Sequence, residues 1–101
     1  MTKLVKDQDA IWLKGWMLNL DFEDFAEMMF FAYVFNWCKF SGVCFYRRDY
    51  LAEWLKGTIP QVEYIVEKLE SKGYIYREVI TTESGKGVVL KVKENLLGEG
   101  E

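Results

Sequence analysis

The sequence predicts an α+β fold, mainly α, in which three helices precede a C-terminal β-hairpin. Three observations carry that prediction. Residues 22–40 are dense in apolar side chains at helical spacing, two shorter helical segments meet at Lys56-Gly57-Thr58, and two β-prone runs, 74–80 and 88–92, flank the turn-rich stretch TTESGKG. With 101 residues, 50% of them hydrophobic, one Pro and eight Gly, the chain has the composition of one domain able to bury a core without metals or disulfides.

The opening segment IWLKGWMLNL, residues 11–20, carries two Trp and four aliphatic residues around Gly15 and reads equally as a short strand or a turn of helix. Asp21 is the expected N-cap of the first helix, with Glu23 and Asp24 complementing its positive end and Lys39 its negative one. One stripe of this helix contains Phe22, Phe25, Phe30, Tyr33 and Trp37, all expected in the core, yet Met28, Phe31 and Phe35 make the opposite face apolar too. A helix apolar nearly all round must be covered on more than one side, here by residues 11–20 or by a second subunit.

Ser41-Gly42 ends that helix and VCFY, residues 43–46, is β-prone. Residues 49–55 make two helical turns, stopped by Lys56-Gly57, where Gly57 is free to take a positive φ. Thr58 and Gln61 fit the S/T-x-x-E/Q capping box of the third helix, and Pro60 falls in the first turn, where its missing N–H does no harm. Val62, Ile65, Val66 and Leu69 form its inner face, and Lys72-Gly73 closes it. The hairpin follows, its loop spanning residues 81–87. The expected division is an N-terminal extension at 1–20 that packs on the core or on a partner, a domain at 21–97, and a frayed polar tail at 98–101.

Composition excludes much chemistry. The chain has no histidine, so an imidazole base, a Ser-His-Asp or Cys-His pair and an ordinary zinc site are all absent, and no metal or cofactor is expected. Acid pairs such as Glu23/Glu27 stand at i, i+4, a spacing usual for a solvated helix face, and nothing in the sequence converges on them, so no catalytic residue is named. Cys38 and Cys44, each among bulky apolar neighbours, read as small buried hydrophobes. The first ten residues lack the apolar core of a signal peptide, and the densest apolar run, residues 28–38, falls far short of the roughly 20 residues needed to span a bilayer. A cytoplasmic protein without a membrane partner is therefore expected. Thirteen Lys/Arg against sixteen Asp/Glu give a net charge of −3. Locally the sign reverses: within residues 68–93, Lys68, Lys72, Arg77, Lys86, Lys91 and Lys93 face only Glu70, Glu78 and Glu83.

The stretch YLAEWLKGTIPQVEYIVEKLESKGYI, residues 50–75, resembles the helix-turn-helix of winged-helix DNA-binding domains. Leu51-Ala52 would open the positioning helix, Thr58 would start the recognition helix, Val62 and Leu69 would pack inward, and Lys72-Gly73-Tyr74-Ile75 would enter the wing. More narrowly, KGWMLNL (14–20), FAYVF (31–35) and FYRRDYLAEWL (45–55) are similar to the N-terminal domains of phage and plasmid replication initiators and replisome organisers. The resemblance implies a recognition helix offered to the major groove and a wing offered to the backbone or minor groove of double-stranded DNA. It departs from the usual pattern in the first turn of that helix, where Ile59 and Pro60 cannot hydrogen-bond a base edge through their side chains.

On that mapping the candidate DNA contacts are Arg47 and Arg48 before the second helix, Thr58, Gln61, Tyr64 and Lys68 on the outer face of the third, and Arg77, Lys86, Lys91 and Lys93 on the wing. Gln61 has the groups to pair with adenine and Tyr64 or Lys68 to reach a phosphate, while Glu63 and Glu67 on the same broad face repel phosphates. The plain alternatives are a solvated helix face, ion pairs of the arginines with Asp49 or Glu53, and lysines that protect a strand edge. A homodimer through Trp12, Trp16, Met28, Phe31 and Phe35 is the expectation for the surplus aromatics. Function is thus expected to be non-enzymatic DNA binding in phage or mobile-element replication initiation or in transcription regulation, with replication or regulatory proteins as further partners. The alternative is a winged-helix protein–protein module that reads no DNA sequence.

Overall fold

The computed structural model describes residues 15–94 and 96. A short 3-10 helix, Gly15–Asn19, leads into α1 (Phe25–Ser41), β1 (Cys44–Phe45), α2 (Arg48–Leu55), α3 (Ile59–Ser71), β2 (Ile75–Thr82) and β3 (Gly85–Val92). The sheet is antiparallel in the order β1-β3-β2. The fold is α+β and mainly α, as the periodicities predict, and its helices with a hairpin whose inner strand also pairs with β1 are compatible with a winged helix.

Each boundary has a local cause. Asp24, not Asp21, caps α1: its carboxylate accepts the Glu27 N–H at 2.9 Å, so the helix starts one turn later than the charge pattern suggests. Gly42, at φ 87°, ends it by donating to the Cys38 carbonyl. In the turn between α2 and α3 the left-handed residue is Lys56, at φ 58°, rather than Gly57. Gly57 suits its place for another reason. The Thr58–Gln61 capping box closes over it, and a Cβ at Gly57 would press on the Gln61 side-chain oxygen, which would have to shift. The loop expected at 81–87 shrinks to the two residues Glu83-Ser84, because Thr81 and Thr82 continue the strand and Gly85, at φ 124°, lets the chain reverse. Thr82 Oγ1 donates to the Gly85 carbonyl across the turn at 2.9 Å.

Helix α1 lies at the centre. Residues 30–35 are buried consecutively, so the helix is enclosed on every side through its middle turns. The sheet and α3 cover one side. On the other, Met17 is wholly buried, and the Trp16 ring stands edge-on to Phe35 at 5.2 Å and to Phe31 at 6.2 Å, with Phe22 and Tyr74 closing on Phe31. The chain thus wraps its own second apolar face with residues 16–22. This corrects the expectation that Phe31 and Phe35 form a dimer surface, since both are buried within one chain; Met28 and Trp16 are partly buried, and Trp12 lies outside the described residues, as does the tail at 98–101. Two other rings depart from expectation. Phe25 and Trp37, placed in the core by their spacing, are exposed, and Phe40 is 88% exposed, because α1 outruns its cover at both ends.

Candidate nucleic-acid interface

The helix-turn-helix is α2, the three residues Lys56-Gly57-Thr58, and α3. Leu51, Ala52, Val62, Val66 and Leu69 anchor its two helices inward, and the outer face of α3 is left to Gln61, Tyr64, Glu67 and Lys68. The β2–β3 ribbon extends alongside, paired from Ile75↔Val92 out to Thr82↔Gly85. Directly paired residues share a face, so Arg77 and Leu90, Val79 and Val88, and Thr81 and Lys86 lie on the same side of the ribbon as buried Ile75 and Val92. Towards the tip that face runs past its helical cover, and Val79 and Val88 are exposed.

Much of the expected basic surface is engaged by acids. Arg48 reaches Glu63 of α3 at 2.7 Å, tying α2 to α3. Arg77 grips Glu70 with two bonds, Nε to Oε2 at 3.0 Å and Nη2 to Oε1 at 2.7 Å, and lies over the Tyr46 ring. That carboxylate's hydrogen bond holds the guanidinium above its ordinary pKa despite partial burial. Lys91 pairs across the ribbon with Glu78 at 3.0 Å, a bond that raises its pKa. Arg47, Lys68, Lys86 and Lys93 have no acid within ion-pair distance among the described residues. Arg47 lies over the Tyr50 ring, Lys68 over Tyr64 and Lys93 over Tyr76. Lys86 stands exposed two residues beyond the ribbon turn.

Gln61 is committed as well. Its Oε1 accepts the Thr58 N–H at 2.8 Å while Thr58 Oγ1 accepts the Gln61 N–H at 3.3 Å. Both polar residues of the first turn therefore serve the helix start, and with Ile59 and Pro60 beside them that turn offers no free bidentate group to a base edge. Tyr64 is exposed, but its hydroxyl donates to both oxygens of Glu23, at 2.8 and 3.1 Å. Its pKa is raised, first by that hydrogen bond and then by desolvation.

Glu23 belongs to a clamp that sequence reasoning missed. Glu27, expected on a solvated face, is the buried acid of the core at 2% exposure. It accepts the Glu23 N–H at 2.7 Å and the Lys72 ammonium at 2.5 Å. Lys72 also donates to the Asp21 carbonyl at 2.8 Å, and the Asp21 N–H donates to the Tyr74 hydroxyl at the same distance. Residues 21–27 are thereby fastened to the end of α3 and the start of β2. A groove of about 440 Å³ remains between the start of α1 and the α2–α3 turn, lined in part by Glu23, Asp24, Lys56, Gln61 and Tyr64.

Cys38 and Cys44 are free thiols buried in the core, as their apolar neighbours suggest. Burial pushes the Cys44 thiol from its ordinary 9.0 up to about 12, with Cys38 adding to the shift. Among the described residues no group of three acids and cysteines stands close enough to hold a metal ion, and no helix is long and apolar enough to cross a membrane.

No family model matches the chain, and no solved structure matches it. Among curated proteins it is similar to an adenine phosphoribosyltransferase from Drosophila pseudoobscura pseudoobscura, 32% identical over 74 residues. The aligned stretch covers 72% of this chain and 40% of the relative, so the chain spans about two fifths of the protein it matches. A likeness over that share does not place the chain in the relative's family.

Proposed function

We propose that the chain is a non-enzymatic winged-helix protein that binds double-stranded DNA mainly through the phosphate backbone, in replication initiation or transcription regulation of the phage or mobile-element kind. The observation that carries this reading is the placement of an exposed α3 beside a projecting ribbon, with Lys68 on the helix, Lys86 near the ribbon tip and Arg47 before α2 all without acid partners among the described residues. Backbone contact rather than base readout follows from the first turn of α3, where Thr58 and Gln61 are spent on the capping box. The activity named for the relative is not carried over, because the aligned stretch covers 40% of that protein.

Titration of a labelled mixed-sequence duplex at two salt concentrations tests the proposal. Engagement of about four phosphates lowers affinity roughly 100-fold between 50 and 200 mM salt, because each contact releases a condensed counterion. Absence of binding at the lower salt would falsify the reading.

Exposure of Phe40, Phe25 and Trp37 on α1 favours a second reading, a protein–protein module in which α1 meets a partner chain. Sedimentation at tens of micromolar separates the two: self-association that is lost in Phe40→Ser supports assembly, and a monomer that binds duplex supports the first reading.

A further inference from the structure

Tyr64 is the outward hydroxyl of α3, and it is already occupied. Glu23, forty-one residues earlier, accepts its hydrogen bond with both carboxylate oxygens, at 2.8 and 3.1 Å. The contact is held in place by more than a flexible side chain. Glu23 is bonded through its own N–H to Glu27, Glu27 to Lys72, and Lys72 to the Asp21 carbonyl, so the backbone carrying Glu23 is fixed against the C-terminal end of α3. Asp24 adds a second carboxylate on the same wall of the groove that α3 faces. Lys68, the cation on this face of α3, lies 5.6 Å from the Tyr64 ring centroid and forms no ion pair with Glu23.

A phosphate that approaches Tyr64 therefore meets a carboxylate bonded to the very hydroxyl it would use. Phosphate and carboxylate are both anionic acceptors, and one O–H donor serves one of them at a time. We infer that Glu23 is a built-in competitor for DNA at Tyr64: the phosphate and Glu23 exclude one another, and displacement of Glu23 is part of docking. This rests on the DNA-binding reading above and adds to it a regulated step, since whatever removes the Glu23 charge or pulls residues 21–24 from α3 strengthens binding.

A double-mutant cycle in duplex affinity at low salt tests the inference. Glu23→Ala is expected to tighten binding about fivefold, near the upper end for one exposed charge with a released donor. Tyr64→Phe alone leaves affinity within about twofold, because the lost hydroxyl was engaged elsewhere, yet in the Glu23→Ala background it removes most of the gain. Glu67→Ala, which deletes a charge from α3 without freeing a donor, sets the purely electrostatic effect, and Glu23→Gln, which keeps an acceptor for Tyr64, should match it. Thermal melts of each variant confirm that it is folded. A Glu23→Ala gain no larger than that of Glu67→Ala, or one that Tyr64→Phe leaves intact, overturns the inference while the DNA reading stands. If neither the wild type nor any variant binds duplex, the DNA reading falls and the competitor role falls with it.

Discussion

A carboxylate at position 27 is tolerable in the interior only because Lys72 reaches it, and the two partners are not equivalent. Glu27 is 2% exposed, whereas the Lys72 side chain keeps 19% of its surface in water. Removing Glu27 leaves an ammonium that is able to swing outward; removing Lys72 leaves a buried anion with nowhere to go. Lys72→Ala is therefore expected to cost about 3 kcal/mol, and Glu27→Ala about half of that, measured by urea denaturation. Equal costs would mean that the buried pair relaxes symmetrically. Ionisation at the same scale fixes the alkaline limit of the fold. Burial pulls the Lys72 pKa down, but the hydrogen bond and charge of Glu27, with the charge of Asp21, outweigh it, and the net shift is upward. Burial likewise raises Cys38, and Cys44 to about 12. Groups with folded pKa values above their unfolded ones give stability that is complete below the unfolded value and lost as pH climbs to the folded one. The thermal midpoint should thus decline from about pH 9, where unfolded thiols begin to ionise, with Lys72 adding to the loss above roughly pH 10.5. A Cys38→Ala/Cys44→Ala variant should delay the onset by about one pH unit, as followed by circular dichroism.

Among the elements, α1 shows how far position along a helix, and not hydrophobicity alone, decides burial. Phe31 and Phe40 are the same residue on the same helix, yet one is wholly buried and the other 88% exposed. Phe31→Ala should cost about 4 kcal/mol, since it empties a space bounded by Trp16, Phe22, Phe35 and Tyr74, while Phe40→Ser should stay within about 0.5 kcal/mol. Elements are legible in the sequence where their causes are local. Thr58-x-x-Gln61, Pro60 and the Val62–Leu69 spacing place α3 because capping and periodicity act over a few residues. They are not legible where the cause is distant or competitive. Glu27 looked solvated because its partner is 45 residues away. Asp21 and Asp24 are equally good caps by type; in the fold the Asp21 backbone is tied to Lys72 and Tyr74, while the Asp24 carboxylate takes the Glu27 N–H. The basic wing was legible as charge, but the ion pairs that neutralise Arg77 and Lys91 depend on the ribbon register and on how α3 lies against β2.

At the scale of the whole molecule, the proposed DNA binding sets an excess of three negative charges against a duplex that carries one negative charge per roughly 1.7 Å of axis, so on that proposal contact has to come from a face that is locally positive. Ion pairing narrows that face to few groups, and they differ in kind. Lys86 stands near the ribbon tip without an acid partner among the described residues, so on the proposed reading it offers a point charge that serves any sequence. Gln61 is structural: its amide oxygen holds the Thr58 N–H at the start of α3. Lys86→Glu is therefore expected to weaken binding about tenfold at low salt, by the same factor on unrelated duplexes, and to flatten the salt dependence by about one ion or more. Gln61→Ala should leave the ranking of duplexes unchanged and instead lower stability by about 1 kcal/mol, seen as a reduced thermal midpoint. Competition binding over a panel of duplexes, with melts of both variants, checks the pair. A Gln61→Ala protein with altered sequence preference and an undiminished midpoint would mean that the capping box opens on DNA and that α3 reads bases after all.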